Sequence, residues 1–335
     1  TKEGCAEGGC GACTVVVGEL IKNNISYKAI NSCIAFVPSL EGKQLILVED
    51  LTFKGELHPV QKAMVNYHGS QCGFCTPGFI MSLFAMYKNS SSYKEENIKD
   101  SIQGNLCRCT GYRPIVEAAK SLNRDNRKDF FTKDKKITLG LLNKIKKRSI
   151  KIIKSNKKYF APKSVKELNE ILRLEPNSKL ISGGTDVSLI VTKERKDINS
   201  LIYLNSIDEL NYIKENNKFI EVGASTPLIK FESFAKKYFP DFSQILKRYG
   251  SVQIRNVCTI AGNIATASPI GDTLPLLLAL DSQIIIKSKN KTIILPINGF
   301  FTNYRKTKLK KGQFIHSIRI PLLKRNIFKA YKISK

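Results

Sequence analysis

The hydrophobic and polar positions change their period along the chain, and each change predicts a different kind of element. Residues 1–54 read as loops and short strands, with β-rich runs at Thr14-Val-Val-Val17 and Leu45-Ile-Leu-Val48. Residues 55–122 turn helical. Val60, Met64 and Tyr67 fall on one face. Thr76 can cap a helix whose first residue is Pro77 and which runs through Phe79-Ile-Met-Ser-Leu-Phe84. Ile98 and Ile102 mark a third helix, and Pro114 opens a fourth through Ile115-Val-Glu-Ala-Ala119. Residues 123–152 lose the pattern. Their runs Arg124-Asp-Asn-Arg-Lys128 and Lys144-Ile-Lys-Lys-Arg148 predict a basic, irregular linker. From residue 153 onward strand and helix patterns alternate. Lys166-Glu-Leu-Asn-Glu-Ile-Leu172 is helical, and Lys179-Leu-Ile181 and Phe219-Ile-Glu-Val222 are strands. Leu274-Pro-Leu-Leu-Leu-Ala-Leu280 predicts a buried helix and Gln283-Ile-Ile-Ile286 a buried strand. The pattern is that of an α/β region.

Composition narrows this picture. A chain of 335 residues has room for two or three domains, and 42% hydrophobic residues suffice to build their cores. No apolar run reaches the length of about 18 that a membrane span needs, so no membrane partner is expected. The net charge of +27 invites a nucleic-acid reading, but its distribution argues against one. Residues 1–122 hold 12 Lys+Arg against 11 Asp+Glu, and the excess elsewhere is mostly Lys scattered among Ile and Asn. That is a solvated surface with no recognisable binding motif, so no nucleic-acid partner is expected either.

The nine cysteines change the picture most. They fall in tight clusters, which suits metal ligation better than a secreted disulfide framework and implies a reducing, cytoplasmic setting. Cys5-Ala-Glu-Gly-Gly-Cys10-Gly-Ala-Cys13, followed by Cys33, has the C-x4-C-x2-C…C spacing of plant-type ferredoxins. Three thiolates on one short loop must wrap a cluster. Gly8, Gly9 and Gly11 permit the required dihedrals and bring backbone N–H groups near the sulfurs. A structural zinc site usually takes paired C-x2-C knuckles, often with His. Here the first pair is separated by four residues and no His is near, which favours iron–sulfur.

A second set is Cys72-Gly-Phe-Cys75 with Cys107-Arg-Cys109. C-x2-C alone is ambiguous between zinc, a redox dithiol and iron–sulfur, whereas C-x-C is too tight for an ordinary zinc knuckle. Each pair precedes a predicted helix, at Pro77 and at Pro114, so two helix N-termini can favour one anionic cluster. Cys258 stands apart in an apolar stretch and reads as a small core residue.

In the α/β region, Leu180-Ile-Ser-Gly-Gly-Thr-Asp-Val187 is a strand running into a Gly-containing turn that can expose N–H groups to a pyrophosphate. A second turn, Ala261-Gly-Asn-Ile-Ala-Thr266, precedes Ser268-Pro-Ile-Gly-Asp272 and lacks the Rossmann G-x-G-x-x-G pattern.

Three motifs together carry a family resemblance: Thr1-Lys-Glu-Gly-Cys-Ala-Glu-Gly-Gly-Cys-Gly-Ala-Cys-Thr14, Gly69-Ser-Gln-Cys-Gly-Phe-Cys-Thr-Pro-Gly78 and Gly104-Asn-Leu-Cys-Arg-Cys-Thr-Gly-Tyr-Arg-Pro114. The chain resembles the xanthine oxidase family of molybdenum hydroxylases over essentially its whole length, in the arrangement of the small iron–sulfur and flavin subunit of its xanthine dehydrogenases. The resemblance implies a multidomain α+β chain. Residues 1–54 would be a partial β-grasp [2Fe-2S] ferredoxin domain and 55–122 a four-helix [2Fe-2S] domain. Residues 123–152 would be the linker and 153–335 an α/β FAD-binding domain of the vanillyl-alcohol oxidase (PCMH) type. The implied cluster ligands are Cys5, Cys10, Cys13 and Cys33, then Cys72, Cys75, Cys107 and Cys109. Gln71 matches the family's glutamine that touches the pterin. The implied FAD contacts are Leu180, Ile181, Ser182, Gly183, Gly184, Thr185, Asp186 and Val187, the aromatic Tyr249, then Thr259, Ile260, Ala261, Gly262, Asn263, Thr266 and Asp272, and finally Ile315 and Lys332. No residue is expected to be catalytic in this chain, and His316 reads as an ordinary strand residue. The family's small subunit is expected to carry β-grasp strands ahead of the position of Thr1 and a further domain beyond Lys335.

The implied partner is a large molybdopterin-binding subunit that hydroxylates a purine. Electrons would run through both clusters to FAD and then NAD. An aldehyde, nicotinate or carbon monoxide dehydrogenase is the alternative within the class. A basic zinc-binding nucleic-acid module is the alternative outside it.

Overall fold

The computed structural model describes residues 1–90, 92–122, 129–145, 148–322 and 327–333. The chain forms two compact units. One comprises residues 1–147 with 192–194 and 250–256, and the other comprises 148–191, 195–249 and 257–335.

In the first unit, β1 (Thr14–Ile21) and β2 (Asn24–Asn31) pair antiparallel from Thr14↔Asn31 to Ile21↔Asn24. Lys22 and Asn23, both left-handed at φ +45° and +56°, make the two-residue turn whose twist suits a hairpin. β3 (Gln44–Ile46) adds to the free edge of β1, giving the order β2-β1-β3. The expected strand ends at Ile46, and Val48 lies in a 3-10 turn, Val48–Leu51.

Four helices follow: α1 (Pro59–Asn66), α2 (Thr76–Asn89), α3 (Glu95–Ile102) and α4 (Arg113–Lys120). Val60 and Met64 of α1 are buried, whereas Tyr67 lies just past its end and is exposed. α2 starts one residue earlier than Thr76-as-cap predicts. Cys75 holds the N-cap position in helical geometry, and the Thr76 hydroxyl instead bonds Ser70 Oγ at 2.7 Å. α2 is buried on nearly every side because β1 and β2 pack on it as well as the other helices.

One continuous core runs from Val16, Ile25 and Ile46 of the sheet to Phe79, Leu83, Phe84, Ile98 and Ile115 of the helices. The stretches 1–54 and 55–122 therefore bury their apolar faces against each other. Between Asp129 and Lys144 the stretch expected to be an irregular linker extends this unit. Asp129 caps α5 (Phe130–Lys133), and α6 (Lys135–Lys144) follows. Phe131 and Leu142 bury into the same core while the lysines face outward, so the basic composition hides two short amphipathic helices. Within that stretch, residues 123–128 and 146–147 lie outside the described residues.

The second unit holds two larger sheets and a small two-stranded one. β4 (Ile150–Lys154), β5 (Lys157–Ala161), β6 (Lys179–Ile181) and β7 (Ser200–Tyr203) order as β4-β5-β7-β6, with β5 and β6 both parallel to β7. α7 (Val165–Leu174), capped by Ser164, packs Leu168 and Leu172 on Phe160 and Ile202. The larger sheet is antiparallel. It comprises β8 (Ile213–Glu215), β9 (Phe219–Gly223), β10 (Gln283–Lys287), β11 (Thr292–Pro296) and β14 (Phe314–Pro321), ordered β11-β10-β14-β9-β8. A small hairpin of β12 (Phe301–Asn303) and β13 (Lys306–Thr307) precedes β14. α8 (Leu228–Ala235), α9 (Pro240–Lys247), α10 (Ile260–Thr266) and α11 (Thr273–Ala279) are its longer helices after β7. α11 is only partly buried: Thr273 and Leu277 are inside while Leu278 is 40% exposed, so the apolar run overstated its burial. His316 is half-buried on β14, beside Ser317 Oγ at 3.3 Å, and burial lowers its pKa.

Candidate iron–sulfur and flavin sites

Both cysteine sets lie in the first unit. In the first set, Gly8 and Gly11 take φ +76° and +72°, which curls the loop back on itself. A Cβ on Gly11 would sit 2.2 Å from the Gly104 carbonyl, so only glycine fits there. The curl aims the N–H groups of Gly9 and Cys10 at Cys5 Sγ, each at 3.3 Å. Cys10 reaches Cys5 through its thiol as well, and Cys13 Sγ lies 3.3 Å from Cys33 Sγ. The contact between these two thiols lowers Cys13 to about 6 and raises Cys33. The Asn31 amide adds a donor to Cys13 Sγ at 3.7 Å.

The second set repeats the layout. Cys72 bonds Cys109, and Cys75 bonds Cys107. Cys75 is buried, and burial pushes its thiol up to about 12. Cys107 is lowered. Burial opposes that, but the Thr110 hydroxyl at 3.2 Å and the Thr110 N–H at 3.5 Å outweigh it. These donors come from the loop before α4, which begins at Arg113 after Tyr112 in left-handed geometry. α2 begins directly after Cys75, as the helix-terminus reading expects. Cys72, Cys109 and Gln71 are exposed.

Each set thus divides into two close pairs, Cys5/Cys10 with Cys13/Cys33 and Cys72/Cys109 with Cys75/Cys107. Among the described residues no three His, Cys, Asp or Glu side chains group as the ligands of a single metal ion. Two pairs are what a two-iron cluster asks for, since each iron takes two thiolates. The donor chemistry fits as well: only thiols form the sets, and N–H or O–H donors stand ready for their anionic sulfurs.

The flavin residues lie in the second unit. Leu180 and Ile181 pair with Ile202 and Tyr203 on β7, and the strand opens into the turn. Gly183 packs so tightly that a Cβ would lie 2.1 Å from the Val257 carbonyl. Gly184 has φ +71°, and its carbonyl accepts from Ser188 Oγ at 2.7 Å. The Ser182 hydroxyl bonds Asn205. Ala261 to Thr266, read as a turn, is the helix α10. Thr259 caps it by accepting from the Gly262 N–H at 3.0 Å, which overrides the poor helix propensity of Gly262 and Asn263.

A chain of contacts joins these pieces. Asn263 Nδ2 donates to Tyr249 Oη at 3.2 Å, and Thr273 Oγ1 to Asn263 Oδ1 at 2.5 Å. Lys332 Nζ pairs with Asp272 Oδ2 at 2.6 Å and bonds the Arg248 carbonyl at 3.2 Å, next to Tyr249. Burial first, then Cys258, Asp272 and Asp186, raise the Tyr249 pKa. Ile315 is buried on β14, against which α10 packs. Cys258, read as a core residue, is buried, but it sits 3.6 Å from Tyr249 Oη and also bonds Thr185. The structure thus brings Thr185, Tyr249, Asn263, Asp272 and Lys332 together, with Val187 further along the first turn. Cys258 was missed as part of this neighbourhood, since a single cysteine in an apolar run carries no signal.

Comparison with known proteins gives these two regions a family. The model for the FAD binding domain in molybdopterin dehydrogenase matches residues 152–323, and the model for a [2Fe-2S] binding domain matches residues 47–120. The chain belongs to the molybdopterin dehydrogenases of the xanthine oxidase family, and it carries their [2Fe-2S] and FAD-binding portions. Xanthine dehydrogenase from Emericella nidulans is 33% identical over 100% of this chain and 29% of its own length. The enzyme from Oryza sativa subsp. japonica is 33% identical over 96% of this chain and 29% of its own. Xanthine dehydrogenase/oxidase from Rattus norvegicus is 30% identical over 99% and 29%. The chain therefore spans less than a third of the curated relatives it matches. A carbon monoxide dehydrogenase from Hydrogenophaga pseudoflava is 28% identical, with a TM-score of 0.48 over 51% of this chain and 61% of that one. Among the described residues no helix is long and apolar enough to cross a membrane.

Proposed function

We propose that this chain is the electron-transfer portion of a xanthine dehydrogenase. Cys5, Cys10, Cys13 and Cys33 hold one [2Fe-2S] cluster, and Cys72, Cys75, Cys107 and Cys109 hold the other. The observation that carries the reading is the division of both cysteine sets into two thiol pairs within one folded unit. FAD is held by the turn 180–187, by Tyr249, by α10 from Thr259 to Thr266, and by Asp272, Ile315 and Lys332. The clusters supply one-electron carriage and the flavin collects electrons in pairs for a two-electron acceptor, NAD in this reading.

The chain's own residues do three things. Gly9, Cys10, Asn31 and Thr110 point donors at thiol sulfurs, which stabilises them as anions. Gly183 packs its backbone against Val257 and Gly184 turns the chain at φ +71°, a Gly-containing turn of the kind that can offer N–H groups to a pyrophosphate. Exposed Gln71, beside exposed Cys72, offers an amide that both donates and accepts, which suits a pterin edge.

Purine hydroxylation belongs to a molybdopterin-binding partner in this reading. The test is to add xanthine anaerobically to the chain with and without that partner. Bleaching of both clusters should require it, and Gln71→Ala should slow the bleaching without loss of iron. Oxidation of xanthine by the isolated chain, free of molybdenum, would overturn the division of labour.

A further inference from the structure

Gln253, Asn105, Ser82 and Thr14 form a buried polar knot between the two cysteine loops. Their exposures are 0%, 3%, 1% and 1%. Gln253 Nε2 lies 3.2 Å from Thr14 Oγ1, 3.1 Å from Ser82 Oγ and 3.1 Å from Asn105 Oδ1. The Thr14 hydroxyl already donates to the Gly11 carbonyl at 2.7 Å, and the Ser82 hydroxyl to Asn105 Oδ1 at 2.6 Å. Both oxygens can therefore only accept, so the amide of Gln253 must face them with its NH2 group. Its Oε1 has no partner and lies where a Cβ on Gly104 would come within 2.3 Å.

The knot lies next to a direct link between the two cysteine sets. Asn105 Nδ2 donates to the Gly11 carbonyl at 3.0 Å, and the adjacent Leu106 N–H donates to the Cys10 carbonyl at 2.9 Å. Leu106 precedes Cys107. A path of covalent bonds and one hydrogen bond therefore runs from the thiol of Cys107 to that of Cys10. Leu106 itself is 58% exposed and does little to shield that bond. What holds 104–106 against 10–11 is the knot beneath. Four buried polar side chains are costly compared with apolar packing, and Gln253 Oε1 is not even satisfied. That cost points to a geometric task.

We propose that Gln253 is a positioning residue which locks the Leu106–Cys10 hydrogen bond and so sets how fast one electron crosses between the two cysteine sets. The proposal rests on both sets holding iron–sulfur clusters. The step is a simple exchange: the centre on Cys72, Cys75, Cys107 and Cys109 is oxidised by one electron, and the centre on Cys5, Cys10, Cys13 and Cys33 is reduced by it. No bond forms or breaks and no proton moves.

The test uses the full chain with Gln253→Met, which keeps the length of the side chain and removes its hydrogen bonds. Three quantities are read: iron content with the two paramagnetic signals, hydrogen exchange at the Leu106 amide, and electron equilibration between clusters after flash photoreduction. The expected result is retained iron and both signals, exchange faster by about tenfold, the effect of one lost buried hydrogen bond, and slower equilibration. Unchanged equilibration with iron retained overturns the proposal, whatever the amide does. A wild-type chain that never takes up two clusters refutes the cluster reading instead, and the exchange rate still judges the lock. If Gln253→Met does not fold, Thr14→Val removes one acceptor of the knot at constant volume and carries the same readouts.

Discussion

His58 Nε2 lies 3.0 Å from Asp129 Oδ2, with both side chains only 1% exposed. His58 Nδ1 accepts from the Val60 N–H at 3.2 Å and so caps α1, which leaves Nε2 as the nitrogen that donates to Asp129. Lys88 Nζ completes the group at 2.9 Å from Asp129 Oδ1, and the rings of Phe84 and Tyr87 meet His58 edge-on. This cluster ties α5 to α1 and α2, so it explains why the basic stretch after residue 128 folds against the first unit.

Asp129→Asn should therefore destabilise the first unit by about 3 kcal/mol, because it strips a buried lysine of its counter-charge. Burial pushes the Asp129 carboxyl up, but the bonds from His58, Lys88 and Thr132 outweigh it and hold it well below the usual carboxylate range. A lowered folded-state pKa adds stability that is present above the unfolded value of about 3.9 and is lost as pH falls toward the folded value. Thermal unfolding should show the variant well below wild type at pH 7, with the gap closing below about pH 4. An equal gap at both pH values would mean that the charge on Asp129 is not what matters.

Cys107→Ala should abolish one paramagnetic signal of the reduced chain and leave the other. Its thiol pairs with Cys75 and accepts from Thr110, all within the second set. Electron paramagnetic resonance on the reduced variant decides the point. Loss of both signals from a folded protein would show that the two sets are not separate sites.

Gly183→Ala should release FAD while iron stays. The new Cβ would meet the Val257 carbonyl at 2.1 Å, and relieving that overlap displaces the turn at an expected cost of about 1–3 kcal/mol. Taken wholly from flavin binding, that corresponds to roughly fivefold to 150-fold weakening. Flavin absorbance against iron content reads the effect, and unchanged flavin would mean that this turn does not hold it.

The two sites differ in how far they can be read from the amino-acid order. The cysteine sets are legible because seven of the eight proposed ligands fall within the close spacings C-x4-C-x2-C, C-x2-C and C-x-C, and the loops that carry them are glycine-rich for reasons of backbone geometry. Gln253 is not legible, because its partner Asn105 lies 148 positions away and no periodicity connects them. α5 and α6 were obscured by lysines on their outer faces, although Phe131 and Leu142 were there to be buried. The 261–266 segment looked like a turn because Gly262 and Asn263 are weak helix formers, whereas Thr259 supplies the cap that starts a helix.

Metal analysis of the anaerobically purified chain tests the central claim most directly. Two thiol pairs in each of two sets predict about four irons per chain with matching acid-labile sulfide, in a red-brown protein. Stoichiometric zinc with negligible iron, in a colourless protein, would contradict it.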